Sequence, residues 1–405
     1  MRKYILLALW LLPFRVFAQV SFTALTTGTS QNLLGISFAD TSTGYACGDD
    51  GIVIKTANGG TSWVTLNTGT TQKLWDIKCV PNSNGQKAVA VGDNNTVIKT
   101  TDGGSTWTAQ SIPFQTGSFV FGVQCLDDLN YYACGGDFAT NSGAVLKTAD
   151  GGMTWTKFPV PNSVFLDKIA IPAGTNGYAV GTNTSFSDGA IQKITGNSSS
   201  QIKTTGSIVT NLWCINATSV IAVGLAGQIW KSTDGGSTWT DCSLNTTDLY
   251  GIGFIDQQNG FACGGTTTGN IILTTSNGGT TWSQIPYTFN GGLQSVCIIG
   301  NRIFIAGDQG RIIRSNVTTR LDELVIQSEF LLYPNPARDK IIVQNSTNKQ
   351  LLTFRLHDVA GKRILESKLG TGLNEVNTSG CNGHYTYTIF QDGQCVETGK
   401  ILIGQ

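Results

Sequence analysis

LLGISFADTSTGYACGDDGIVIKTANGGTSW (Leu33–Trp63) holds three short runs of alternating apolar and polar residues, punctuated by Gly or Asp-Gly, and closes on a glycine pair before a tryptophan. Alternation of period two marks strands, and Gly, Asp and Asn clusters between such runs mark hairpin turns. The stretch returns as LWDIKCV…AVAVGDNNTVIKTTDGGSTW (Leu74–Trp107) and FGVQCLDDLNYYACGGD…GAVLKTADGGMTW (Phe121–Trp155). It returns again as LWCINATSVIAVGLAGQIWKSTDGGSTW (Leu212–Trp239) and LYGIGFIDQQNGFACGG…IILTTSNGGTTW (Leu249–Trp282). Two further copies, beginning at Leu166 and Leu293, lack the tryptophan.

Successive tryptophans lie 44, 48, 84 and 43 residues apart, and the gap of 84 is two periods spanning one of the copies without tryptophan. Each copy adds a fourth run after the turn, so each unit carries four strands, the content of a propeller blade. The seventh copy ends at Asn316, short of a fourth strand. The stretch SFTALTTGTSQNL (Ser21–Leu33) matches SWVTLNTGTTQKL (Ser62–Leu74), the fourth strand of the first copy and its link to the second. The expected fold is therefore all-β: a seven-bladed propeller over residues 19–317, closed by the N-terminal strand, which pairs an otherwise open sheet edge.

Fifty glycines and 13% charged residues suit such a turn-rich fold. Arg2 and Lys3, the apolar run Ile5–Leu12 and the small-residue site Val16-Phe17-Ala18 read as a signal peptide over residues 1–18. Between Gln19 and Val317 there are 17 Asp, 11 Lys and 3 Arg, a net charge of −3 without a basic cluster, so a nucleic-acid partner is not expected. Nor is a transmembrane segment, for want of a long apolar run. Of ten cysteines, Cys47, Cys134 and Cys263 stand where other copies have Val91, Val180, Val223 and Ala306, which marks them as small core residues rather than disulfide partners.

The turn strings TANGGTSW, TTDGGSTW, TADGGMTW, STDGGSTW and TSNGGTTW resemble the Asp-box of sialidase-type propellers. Asn58, Asp102, Asp150, Asp234 and Asn277 would tie the turn, and Trp63, Trp107, Trp155, Trp239 and Trp282 would cover it, a structural role. The longer unit, G-Y-A-x-G-D-x-G before K-T-x-D-G-G-x-T-W, resembles the propeller family of the photosystem II assembly and stability factors. A basic groove of that kind needs arginines, and none lies between Arg15 and Arg302, which argues against a photosystem role.

Residues 318–330 bring the first glutamates, Glu323 and Glu329, and read as a linker. Residues 331–405 resemble the type A sorting domain of the type IX secretion system. The resemblance rests on Pro334-Asn335-Pro336, on Asp358, Gly361 and the intervening D-x-x-G-K pattern, on Gly383 and Tyr385 of a G-x-Y, and on Lys400 in the terminal strand. It implies a small antiparallel β-sandwich, passage across the outer membrane through the secretion machinery, and an extracellular or surface-attached product. Asp392-Gly393 is a hairpin signal that sets Cys395 opposite Phe390.

The only histidines, His357 and His384, lie in the C-terminal segment, which removes Ser-His-Asp hydrolysis and His-ligated zinc from the propeller. A sialidase-type arginine triad drawn from several blades is also absent, since Arg302, Arg311 and Arg314 all fall in the seventh copy. No cofactor or metal set is expected. Turn aspartates Asp49, Asp50, Asp93, Asp137 and Asp308 should share one rim, where they are turn formers, a ligand or calcium patch, or the paired carboxylates of a glycoside hydrolase. Trp75, Phe121, Trp213 and Tyr250 share an early first-strand position and read either as packing between blades or as a stacking platform. Polar insertions at Gly136–Gly143, Thr182–Gly189 and Gly265–Asn270 lie on one rim. The expected function is a non-enzymatic exported module that binds a protein or glycan, with a paired-aspartate hydrolase or an envelope assembly factor as alternatives.

Overall fold

The computed structural model describes residues 20–137, 142–174, 176–184, 186–244, 247–316, 330–333, 337–345, 352–359, 361–392 and 394–404. The expected signal peptide, the linker up to residue 329 and Pro334-Asn335-Pro336 lie outside them. Two compact units separate at residue 317. Regular structure among the described residues is strand throughout, apart from two three-residue 3-10 turns, Asp49–Gly51 and Leu225–Gly227.

The first unit consists of seven four-stranded antiparallel sheets. Their first strands are Leu33–Phe38, Leu74–Cys79, Phe119–Cys125, Ser163–Ala173, Val209–Cys214, Leu249–Phe254 and Leu293–Ile299. Each first strand packs against the first strand of the next sheet, and that of the seventh packs against that of the first. Six sheets run in plain sequence order. The seventh takes its outer strand, Thr23–Leu25, from the other end of the unit, with Thr23 opposite Arg314 and Leu25 opposite Ile312.

Four of the seven second strands, Gly44–Gly48 and Ala88–Gly92 among them, are buried along their whole length and the others along all but their end residues, so they read as continuous apolar runs rather than alternating ones. Cys47, Cys134 and Cys263 sit in these strands opposite Gly35, Gly122 and Gly251. All three are buried and free, and burial holds their thiols well above the ordinary range. A Cβ on Gly122 would come within 3.0 Å of the Cys134 sulfur, which explains why a small residue faces a cysteine there.

The five turn motifs share one geometry. The hydroxyls of Thr56, Thr100, Thr148, Ser232 and Thr275 accept the N–H of the second turn glycine at 2.8–3.0 Å. Asn58, Asp102, Asp150, Asp234 and Asn277 accept a backbone N–H four residues on, each at 2.9 Å. Bonds from the Thr106, Thr154 and Thr238 hydroxyls, and then from the backbone, hold the three aspartates down at about 2. Gly59 and Gly60 take φ of +67° and +84°, where a side chain would be strained.

The lysine three residues ahead of the motif's Asp or Asn position in the first, second and fifth sheets, like Lys193 of the fourth, has a second use. Lys55 donates to Gly103 O, Lys99 to Gly151 O and Lys193 to Gly235 O, each 2.7–2.8 Å away in the turn of the next sheet. Lys231 reaches Thr280 Oγ1 at 2.8 Å, and Arg314 of the seventh sheet reaches Gly59 O of the first at 2.8 Å. The motif thus ties sheet to sheet as well as strand to strand, through charge-assisted bonds worth about 1–2 kcal/mol apiece.

The second unit forms a three-stranded and a four-stranded antiparallel sheet around one core that includes Phe330, Phe354, Ile389 and Ile401. Lys362 N donates to Asp358 Oδ1 at 2.9 Å, and Gly361 takes φ of +82°, so the D-x-x-G-K stretch is a self-tied turn. Asn382 N donates to the Tyr385 hydroxyl at 3.0 Å, beside Gly383 at φ +123°. Lys400 lies in the strand Gln394–Ile403, opposite Thr386, and Cys395 is opposite Phe390 as the hairpin reading expects.

Candidate functional site

Every first strand of the propeller unit carries a register shift at the same place. Pairing jumps from Leu33 to Gly35, Leu74 to Asp76, Val120 to Gly122, Leu166 to Lys168, Val209 to Asn211, Leu249 to Gly251 and Leu293 to Ser295. A bulge of this kind ejects one residue from the ladder and re-aims its side chain. The seven ejected residues are Leu34, Trp75, Phe121, Asp167, Thr210, Tyr250 and Gln294. All seven line one cavity of about 210 Å³, joined among the described residues by Lys168.

The bulge fixes where the first-strand aromatics lie. Trp75, Phe121 and Tyr250 stand at the extra residue and line the cavity, whereas Ile77, Val123 and Ile252, two residues on, are buried. Trp213 does not share their position at all. It pairs with Ile221 and packs among Ile221, Ile252 and Phe254, and the fifth sheet instead offers Thr210 to the cavity. The Leu-aromatic dipeptides Leu74-Trp75 and Leu212-Trp213 are therefore not equivalent: the counterpart of Leu74 is Val209, three residues before Leu212.

The rim aspartates hold this ring in place. Trp75 Nε1 donates to Asp93 Oδ1 at 2.6 Å, Gln294 Nε2 to Asp308 Oδ1 at 3.1 Å and the Tyr250 hydroxyl to Asp248 Oδ2 at 3.2 Å. Asp308 also accepts Gly292 N at 2.8 Å. Asp49 is bound by Lys73 at 2.9 Å and by Asn32 at 2.9 Å, and Asp50, at φ +55°, accepts from Gln31 at 2.7 Å. Asp137 is not a rim turn residue. It ends the strand Tyr131–Asp137, is buried, and pairs with Lys157 at 3.0 Å. Asp248 was missed because it follows a threonine, without the glycine that opens the G-D turns of the others.

Beneath the ring lies a polar layer that the sequence did not reveal. Asp76, 0% exposed, is bound by Lys78 at 3.1 Å and by Lys168, two sheets away, at 2.9 Å. The bare Gly122 of the intervening sheet leaves room for that pair, and Val123 N donates to Asp76 Oδ2 at 3.2 Å. Two lysines hold the Asp76 carboxylate ionised against the cost of burial, so its titration lies below the usual range. Asp167 is the contrasting case. Its Oδ2 is buried without a hydrogen-bond partner, and burial raises the carboxyl to about 7, with Lys168 pulling the other way.

An aromatic strip leads out of the cavity. Phe121 meets Trp75 edge-on at 5.4 Å, stacks on Phe119 at 5.5 Å and meets Phe165 at 5.9 Å. Phe165 in turn contacts Phe186, which is 52% exposed on the Thr182–Gly189 insertion. Each of the three arginines of the seventh sheet has a contact: Arg302 on Thr41 O, Arg314 on Gly59 O and Arg311 over the Phe289 ring. Among the described residues no cluster of potential metal ligands occurs, and no helix is long and apolar enough to cross a membrane.

Residues 15–185 match the family described as photosynthesis system II assembly factor YCF48, and residues 331–404 match the secretion system C-terminal sorting domain. No curated protein matches the chain. Among solved structures, YCF48 bound to D1 peptide is 18% identical with a TM-score of 0.60, covering 73% of this chain and 96% of its own. YCF48 from Cyanidioschyzon merolae is 15% identical with a TM-score of 0.59, covering 73% and 98%. The WD40 β-propeller domain of Doa1 is 13% identical with a TM-score of 0.57, covering 74% and 98%. At such identities the likeness establishes the β-propeller fold and nothing finer. The chain thus joins a β-propeller similar to the photosystem II assembly factors to a C-terminal unit that matches the type IX secretion sorting domains, which implies export.

Proposed function

We propose that the chain is a secreted, non-enzymatic binding protein, in which a closed seven-bladed propeller grips a protein ligand at the mouth of its axial cavity. The observation that carries this reading is the convergence of seven bulge residues on one cavity, with three of them fixed by rim aspartates. Closure is supported by the Thr23–Leu25 pairing and the cyclic packing of first strands. Side chains locked in place before binding lose little entropy on binding, which is how a recognition site is built. The half-buried aromatic strip from Trp75 through Phe165, ending on the exposed Phe186, offers stacking and apolar contact beside the cavity. Among similar structures, YCF48 is one bound to a peptide.

Glycoside hydrolysis needs two carboxylates with opposed protonation states facing one substrate. The cavity lining holds one, Asp167, and the nearest below it, Asp76, is sealed by two lysines. Asp49, Asp93 and Asp308 serve as acceptors for neighbouring side chains and backbone. Panning the mature chain against a displayed random-peptide library, beside a glycan array assayed for reducing sugar, tests the reading. Saturable peptide binding with no sugar released is expected. Sugar release that disappears in Asp93→Asn or Asp167→Asn would make the protein a hydrolase instead.

A further inference from the structure

We infer that the axial cavity receives a primary ammonium group, a lysine side chain or an N-terminal amine projecting from the protein ligand. This rests on the binding reading above and specifies its chemistry. Three aromatic rings, Trp75, Phe121 and Tyr250, contribute to the lining, and ring faces attract cations. The fixed charge around them has the matching sign. Asp93, Asp248 and Asp308 each hold a lining residue and have no Lys or Arg partner among the described residues. Lys73, over the Trp75 ring at 4.8 Å, is paired with Asp49 at 2.9 Å, and Lys168 shares Asp76 with Lys78 at 2.9 and 3.1 Å. Against these three lysines stand Asp49, Asp76, Asp93, Asp248 and Asp308, so the fixed charge around the cavity is negative on balance.

Asp167 supplies the counter-charge inside. Its Oδ2 has no partner, so an arriving ammonium would satisfy a buried acceptor that the protein leaves unmet. Burial raises its titration and Lys168 beside it opposes the shift; the other titratable groups around it are the Cys134 thiol of the third sheet, Tyr250 of the cavity lining and Asp76, which Lys168 also binds. With its carboxyl raised to about 7, Asp167 is largely protonated at pH 6 and largely ionised at pH 8. A cation favours the ionised form, so its affinity rises with pH across this interval, by about tenfold.

The test titrates the mature chain with N-acetyl-lysine N-methylamide, N-acetyl-norleucine N-methylamide and methyl β-glucoside, following the indole N–H resonance of Trp75. The lysine derivative is expected to bind at least about tenfold more tightly than its norleucine isostere at pH 8, and more weakly at pH 6. Asp167→Asn should remove both the preference and the pH dependence. That variant should still fold, because it deletes an unpartnered buried charge, and a melting temperature at pH 8 no lower than the parent's verifies this. Equal binding of norleucine and lysine derivatives would overturn the ammonium assignment while leaving the binding site standing. Binding of the glucoside alone would overturn the assignment together with the protein-ligand reading. Silence from all three probes, or an Asp167→Asn variant that behaves as the parent, also overturns the assignment, and the peptide panning then decides the broader reading separately.

Discussion

A chain lacking residues 19–29 is expected to melt about 10 °C below the intact mature protein. The deleted strand pairs Thr23, Ala24 and Leu25 with Arg314, Ile313 and Ile312, and it buries the Thr27 hydroxyl on Gly310 O at 2.7 Å. Leu25 packs into the core beside Leu33, Ile36 and Phe304, while Val20 and Phe22 pack beside Phe289 and Ile313. Three half-buried apolar side chains at roughly 1 kcal/mol each, with the ladder and hydroxyl bonds at comparable worth, amount to about 5 kcal/mol. For a domain of this size each kcal/mol moves the midpoint by about 2 °C. The deletion also exposes the edge of Ile312–Asn316 for pairing with a second chain, so aggregation on heating should increase. Identical melting of the two forms would show that the N-terminal strand does not close the ring.

Deleting residues 331–405 should abolish appearance of the propeller outside the cell and trap it in the periplasm. The sorting unit has its own core and separates from the propeller at residue 317, so its removal need not unfold the remainder. Trapped propeller should therefore retain the melting temperature of the parent, which separates a sorting defect from a folding defect. Normal release of the truncated chain would show that export does not read this unit.

The repeats made the all-β architecture and the turn motifs legible, because each blade must solve the same local problem with the same residues. Thr56, Asn58 and the Gly59-Gly60 pair show this, and four further copies repeat their bonds at nearly the same distances. The partnership of Lys55 with Gly103 was not legible, since the bond joins different repeats and the lysine alternates in its strand like any surface residue. The site was legible only in part. Trp75 and Tyr250 stand out as aromatics, but period-two counting fails across a bulge, and a bulge leaves no mark on a strand that lacks glycine at the shift. Asp167 and Thr210 were invisible for that reason. Asp137 was misplaced because G-D reads as a turn, whereas here Asp137 is the last residue of its strand and is buried against Lys157.

The central claim is that the ring of bulge residues is the binding site, and one measurement addresses it most directly. The affinity of the mature chain for its best panned peptide is compared with that of Trp75→Ala and Tyr250→Ala. Both side chains are only partly buried and lie on the cavity wall, so their removal should leave folding intact, as melting curves would verify. Loss of a stacking aromatic at the centre of an interface costs about 2 kcal/mol or more, so each variant should bind at least about thirtyfold more weakly. Folded variants that bind the peptide as tightly as the parent would contradict the account, and would move the recognition surface away from the axial cavity.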